Sequence, residues 1–137
     1  MSTLTATDNA ATVAKLYEAF GRGDVQTIID NVDDSCEWIG GGGAYLRQGG
    51  TYQGKDAANF FKRLSESTEF TAFNPTAIYN VGDNEVASFG NMSGTSRVTG
   101  KSSSSDWAMH FKFNDEGKCI YFQDFHNTAA AYVANQP

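Results

Sequence analysis

The stretch Ser103-Ser104-Ser105-Asp106-Trp107-Ala108-Met109-His110-Phe111-Lys112-Phe113-Asn114-Asp115-Glu116-Gly117-Lys118-Cys119-Ile120-Tyr121-Phe122-Gln123-Asp124-Phe125-His126 reads as two alternating segments around a turn. Side chains on a strand point to opposite faces in turn, so period-two patterning identifies the strands, and Asp115-Glu116-Gly117 supplies the turn. In the second strand Ile120, Phe122, Asp124 and His126 fall on one face, and Tyr121, Gln123 and Phe125 on the other. An acid and an imidazole thus follow two apolar residues on what should be the buried side. Residues two apart on a strand lie roughly 7 Å apart, within reach of one small molecule.

Working back along the chain, Glu69 to Val81 and Glu85 to Val98 form two further strands, bounded by Gly82-Asp83-Asn84 and Thr99-Gly100-Lys101. The four strands make a run of antiparallel hairpins. Ahead of them, Val13, Leu16, Tyr17 and Phe20 recur at helical spacing, with Asp8 or Thr7 as cap and Gly21 and Gly23 as stops. Asp24 caps a second helix carrying Val25, Ile28, Ile29 and Val32 and ending at Asp33-Asp34. Ser35 to Ile39 is a short strand, and Ala57, Phe60, Phe61 and Leu64 mark a third helix that gives way at Ser67. Ala129 to Ala134 is a last short helix. Three helices on an antiparallel sheet predict one α+β domain over residues 1–137.

Gly40 to Gly43 and Gly49-Gly50 do not form a phosphate cradle, because no Lys-Ser/Thr follows them. A loop over a pocket mouth is the expectation there. The net charge of -6, with ten basic residues scattered along the chain, argues against nucleic acid as a partner. No run approaches the ~18 apolar residues of a membrane span, and Met1 to Asp8 lacks a signal pattern, so a soluble cytoplasmic protein is expected. Cys36 and Cys119 are read as buried free thiols.

Several stretches at matching intervals carry a resemblance. They are Tyr17-Glu18-Ala19-Phe20-Gly21-Arg22-Gly23-Asp24, Gly50-Thr51-Tyr52-Gln53-Gly54-Lys55, Phe60-Phe61, Glu69-Phe70-Thr71, Gly94-Thr95, Thr99-Gly100, Asp106-Trp107-Ala108, Gly117-Lys118 and Asn127-Thr128-Ala129-Ala130. In this order the chain resembles the SnoaL-like branch of the nuclear transport factor 2 and ketosteroid isomerase superfamily. The resemblance implies a cone: three N-terminal helices on a strongly curved, mostly antiparallel sheet, with a deep apolar pocket between them. It also implies a homodimer through the outer sheet face, which the aromatic residues Tyr121 and Phe125 opposite Asp124 support independently.

Members of the superfamily include steroid isomerases, polyketide cyclases, dehydratases and protein-binding modules, so the fold does not by itself define an activity. The three groups of the steroid isomerases, a proton-carrying carboxylate, a tyrosine and a protonated acid, align with Ile39, Leu16 and Met109, give or take one residue. None of these side chains carries the required group, which argues against steroid isomerisation. The same alignment turns Trp107, Met109, Phe111, Phe122, Asp124 and His126 toward the pocket, and Trp38 and Tyr52 are further candidate lining groups. His110 should point outward with Ala108 and Lys112.

An aspartate among apolar groups is suited to moving protons to and from carbon acids, and His126 beside it could orient it or polarise a carbonyl. The sequence therefore predicts a cofactor-independent acid–base enzyme, of cyclase, isomerase or dehydratase type, acting on a small apolar carbonyl compound. Asp124 would be the proton carrier, with no metal and no cofactor. The alternatives are a non-catalytic small-ligand pocket and a protein-interaction module.

Overall fold

Helix α1 (Asn9–Gly21) opens a computed structural model that describes residues 8–137; Thr7 lies outside the described residues. The Asp8 carboxylate accepts the Ala11 amide and caps the helix. Val13, Leu16 and Ala19 form its buried stripe, and Tyr17 and Phe20 pack beside them.

Helix α2 (Val25–Asp30) is shorter than the apolar spacing predicts. Asn31 ends it by donating its side-chain amide to the Thr27 carbonyl at 2.8 Å, and the Asn31 carbonyl accepts the Cys119 amide at 2.8 Å. That second bond draws the chain into strand pairing, so Val32, Asp33 and Asp34 belong to β1 (Val32–Gly40) and not to the helix. A loop with one 3₁₀ turn (Gly43–Tyr45) leads to β2 (Gly50–Gln53), so Gly50 starts a strand that the sequence pattern did not disclose.

Helix α3 (Ala57–Ser67) follows the two strands, and buries Ala57, Phe60 and Phe61. The remaining strands are β3 (Thr68–Gly82), β4 (Glu85–Ser96), β5 (Ser102–Phe113) and β6 (Cys119–His126), and helix α4 (Thr128–Ala134) closes the chain. They join in one six-stranded sheet of order β2-β1-β6-β5-β4-β3. Every neighbouring pair is antiparallel except β1 with β6, which is parallel. The architecture is α+β with a mostly antiparallel sheet. The last four strands pair as the expected run of hairpins, and the one parallel pair is joined by a long crossover rather than a turn.

One register detail corrects the face assigned to Ile120. Cys119 pairs with Phe113 and Tyr121 with Lys112, so Ile120 is the extra residue of a β-bulge. Cys119 is fully buried and Ile120 only partly so. Beyond the bulge the alternation holds: Phe122 and Asp124 are buried, and Phe125 is exposed.

Register partners across the sheet define three rows on its helix-covered face. The first runs Val86–Phe111–Phe122–Trp38–Tyr52, from β4 through β5, β6 and β1 to β2. The second is Ser88–Met109–Asp124, and the third Gly90–Trp107–His126. The first row is core: Trp38 stacks on Phe122 at 3.9 Å between ring centroids and meets Phe60 and Phe61 of α3 edge-on or tilted. The second and third rows bring the polar groups together.

Candidate functional site

A cavity of about 120 Å³ lies between these rows and helices α1, α3 and α4. Asp124 and His126 line it, with Trp107, Met109, Phe111 and Phe122, as the alternation of β5 and β6 predicts, and Trp38 of β1 lines it too. Tyr52 does not, which corrects its assignment as a lining residue. It ends the first row on edge strand β2, where Phe60 packs against both its ring and that of Trp38, each at 5.9 Å. Its hydroxyl donates to the Gln48 carbonyl at 2.9 Å, and the Arg63 guanidinium lies over its ring.

The Asp124 side chain is 10% exposed, and its Oδ1 accepts the Gly41 amide at 2.6 Å. His126 Nδ1 stands 3.6 Å from the same oxygen, longer than a hydrogen bond but close enough for a charge contact when the ring is protonated. Oδ2 has no protein donor among the described residues and is the oxygen left for a ligand. Gly41 explains how this can be. A Cβ there would sit 2.6 Å from Asp124 Oδ1 and 3.3 Å from the His126 ring, so only a bare backbone can approach the carboxylate so closely.

Sequence reasoning missed a third polar group. Tyr17 is amphipathic-helix packing by its spacing, yet its hydroxyl reaches through the aromatic layer to Ser88 Oγ at 2.6 Å and Met109 Sδ at 3.1 Å. Ser88 is fully buried. Burial pushes the Tyr17 pKa up and the Ser88 hydrogen bond opposes this less strongly, so the group stays a neutral O–H. When Ser88 donates to Tyr17, the phenolic proton is left facing a thioether, a weak acceptor that a ligand oxygen could replace. Directly opposed strand residues have Cβ atoms roughly 5 Å apart, so Met109 alone separates the Tyr17–Ser88 pair from Asp124 along the second row. The signal was in the sequence: the tyrosine of the steroid isomerases aligns with Leu16 give or take one residue, and Tyr17 is the next position, so the alignment that set this role aside was one residue out.

Trp107 forms the adjoining wall. Gly90 lets its indole lie flat on β4, since a Cβ at that position would meet the ring at 2.4 Å, and its Nε1–H donates to the Asn91 carbonyl at 3.1 Å. Outside the cavity, His110 lies 2.9 Å from Glu85 Oε1 on the opposite face, as its place in β5 predicts. Cys36 and Cys119 are buried free thiols with their sulfurs 3.9 Å apart. Among the described residues no group of three or more His, Cys, Asp or Glu is placed to hold a metal, and no helix is long and apolar enough to cross a membrane.

Helices covering one face of a mixed six-stranded sheet, over an apolar hollow, place the molecule among the pocket-bearing α+β proteins of NTF2-like fold. The chain belongs to the SnoaL-like domain family, whose model matches residues 13–122. An NTF2-like protein from Burkholderia thailandensis is 30% identical, with 94% of this chain and 98% of that one aligned at a TM-score of 0.83. An NTF2-like protein of unknown function from Burkholderia pseudomallei is 22% identical over 96% of this chain and 99% of that chain, with a TM-score of 0.85. A candidate polyketide cyclase from Xanthomonas campestris shares 20% identity over 93% and 97% of the two chains, with a TM-score of 0.70. No curated protein matches the chain.

Proposed function

We propose that the cavity is the active site of an acid–base enzyme that moves a proton at carbon next to a carbonyl group, with Asp124 as the proton carrier. The observation that carries this reading is a carboxylate at an apolar cavity wall with one oxygen fixed by the Gly41 amide and the other without a protein donor among the described residues. Asp124 Oδ2 takes the α-proton, the C–H pair becomes the enolate double bond, and the carbonyl π pair moves to oxygen. Tyr17 O–H donates a hydrogen bond to that oxygen. The proton then returns to a different carbon in an isomerisation, or the enolate carbon attacks a second carbonyl in a cyclisation and the new alkoxide takes the proton. His126 orients Asp124 and adds positive charge beside it when protonated. Proton transfer by a positioned group is typically worth about 10²–10⁴-fold. The fold of the candidate cyclase from Xanthomonas campestris is compatible with such chemistry.

The test is hydrogen–deuterium exchange at the α-carbon of acetophenone and of cyclohexanone in D₂O, followed by NMR. The wild type should accelerate exchange, and Asp124→Asn, which keeps shape and loses the base, should slow it by about a hundredfold or more with an unchanged thermal melt. Equal exchange by Asp124→Asn removes the reading. Binding without exchange in the wild type favours a non-catalytic ligand pocket instead.

The partner proposed for the outer sheet face is a second copy of the chain. Phe89 and Phe125 flank Ala108 in one cross-strand row, and are 45% and 50% exposed. Tyr79 extends the same patch, its ring 6.4 Å from that of Phe89.

A further inference from the structure

We propose that the cavity selects an uncharged molecule the size of a single ring, and that the stacked pair Phe73–Trp107 sets the size limit; this rests on reading the cavity as the ligand site. Three independent features of the cavity lead there.

The first is volume. An apolar hollow of roughly 150 Å³ holds one benzene ring, whereas sites for drug-sized molecules run to about 300–1,000 Å³. At about 120 Å³ the space here is of that single-ring class and well below the second. A molecule of three fused rings requires a wall to move.

The second is the stiffness of that wall. Phe73 and Trp107 stack at 5.0 Å with 7° between their planes, and Tyr17 closes on both rings at 5.4–5.6 Å. Phe20 meets Phe73 edge-on at 5.0 Å. Trp107 is held by its hydrogen bond to the Asn91 carbonyl and by lying on Gly90. These aromatic rings occupy the end of the hollow where a second and third ligand ring would go.

The third is charge. The residues lining the cavity include no lysine, arginine or glutamate, and Asp124 and His126 are its ionisable pair together with the neutral Tyr17 phenol. An anionic ligand would lose its hydration and meet the Asp124 carboxylate, and the one cation the lining can offer, a protonated His126, already stands 3.6 Å from that carboxylate. A neutral carbonyl oxygen needs only a donor, which the Tyr17 hydroxyl supplies.

The experiment is isothermal titration of the full chain with acetophenone, benzoate and 2-acetylanthracene, with the titration repeated on Phe73→Ala. Acetophenone should bind, benzoate and 2-acetylanthracene at least tenfold more weakly, and Phe73→Ala should regain 2-acetylanthracene binding by at least tenfold. If that variant does not fold, Phe73→Leu, which removes the flat ring but keeps apolar bulk, is measured instead and should shift the preference the same way. Wild-type protein that takes benzoate or 2-acetylanthracene as well as acetophenone, or that takes none of the three, overturns the proposal. An unchanged ligand preference in the Phe73 variant overturns the role of the stack. Acetophenone bound without α-proton exchange would remove the catalytic reading and leave this one standing; exchange with the larger ketone alone would do the reverse.

Discussion

Replacing Gly41 with alanine tests the site at its tightest point. The added Cβ would lie 2.6 Å from Asp124 Oδ1, 3.3 Å from the His126 ring and 3.4 Å from the Asp124 carbonyl oxygen, and two of these three neighbours are functional groups. Relief requires the carboxylate and the loop to part by about 0.5–1 Å, which breaks the 2.6 Å amide–carboxylate hydrogen bond. A hydrogen bond to a charged group contributes about 1.5–3 kcal/mol, and for a chain of 137 residues each kcal/mol moves the melting point by roughly 3–4 °C. Gly41→Ala should therefore melt about 5–10 °C below the wild type. Its α-proton exchange should drop further than its stability suggests, about a hundredfold, because a misplacement near 1 Å at a reacting group has that effect. The control is Gly21→Ala at the end of α1, where a Cβ meets nothing within 4 Å, and it should match the wild type in both assays. A Gly41→Ala protein that melts and exchanges like the Gly21→Ala control would refute the claim that this loop positions the carboxylate.

Three further outcomes are expected. Contact with Cys36 and burial push the Cys119 pKa above its ordinary 9.0, and burial pushes that of Tyr17 above 10.0, so both are neutral when folded and free to ionise when unfolded. Their stabilisation is complete below pH 9 and lost as pH rises past those ordinary values; the melting point should fall between about pH 9 and 11, with a shallower upper part in Tyr17→Phe, and a flat profile would contradict this. Both thiols are fully buried, so 5,5′-dithiobis(2-nitrobenzoate) should label neither in the native protein and both in denaturant; rapid native labelling would count against the packing described. Phe125→Arg on the outer face should convert a dimer into a monomer by light scattering while leaving exchange measurable, and a wild type that already elutes as a monomer removes the dimer proposal.

The β-rich half of the fold is legible in the sequence because its information is local. Alternation and turn chemistry assign β3 to β6 to within a residue or two, and the same alternation turns Asp124 and His126 inward. What stays hidden depends on contacts distant in sequence. The β1–β6 pairing joins Trp38 to Phe122 and cannot be read from either strand alone, and it is what draws Val32 out of the predicted helix. Tyr52 has the composition of a pocket residue, but the place of β2 at the sheet edge puts Phe60 between it and the cavity. Tyr17 fails in the opposite sense: a helical stripe explains it fully until Ser88 is seen beneath its hydroxyl.

The parallel pair also accounts for why the polar end of the cavity exists. β1 runs beside β6 as far as Ile39 and Gln123, so the loop leaving its end emerges directly over Asp124, and Gly41 is the residue that falls there. Without that donor Asp124 would be a buried carboxylate with His126 at 3.6 Å and no hydrogen bond from the protein. The Gly41 amide supplies that hydrogen bond while occupying only one oxygen. The fixed position and the free oxygen that a base needs thus both follow from the topology that links residues 32–40 to 119–126.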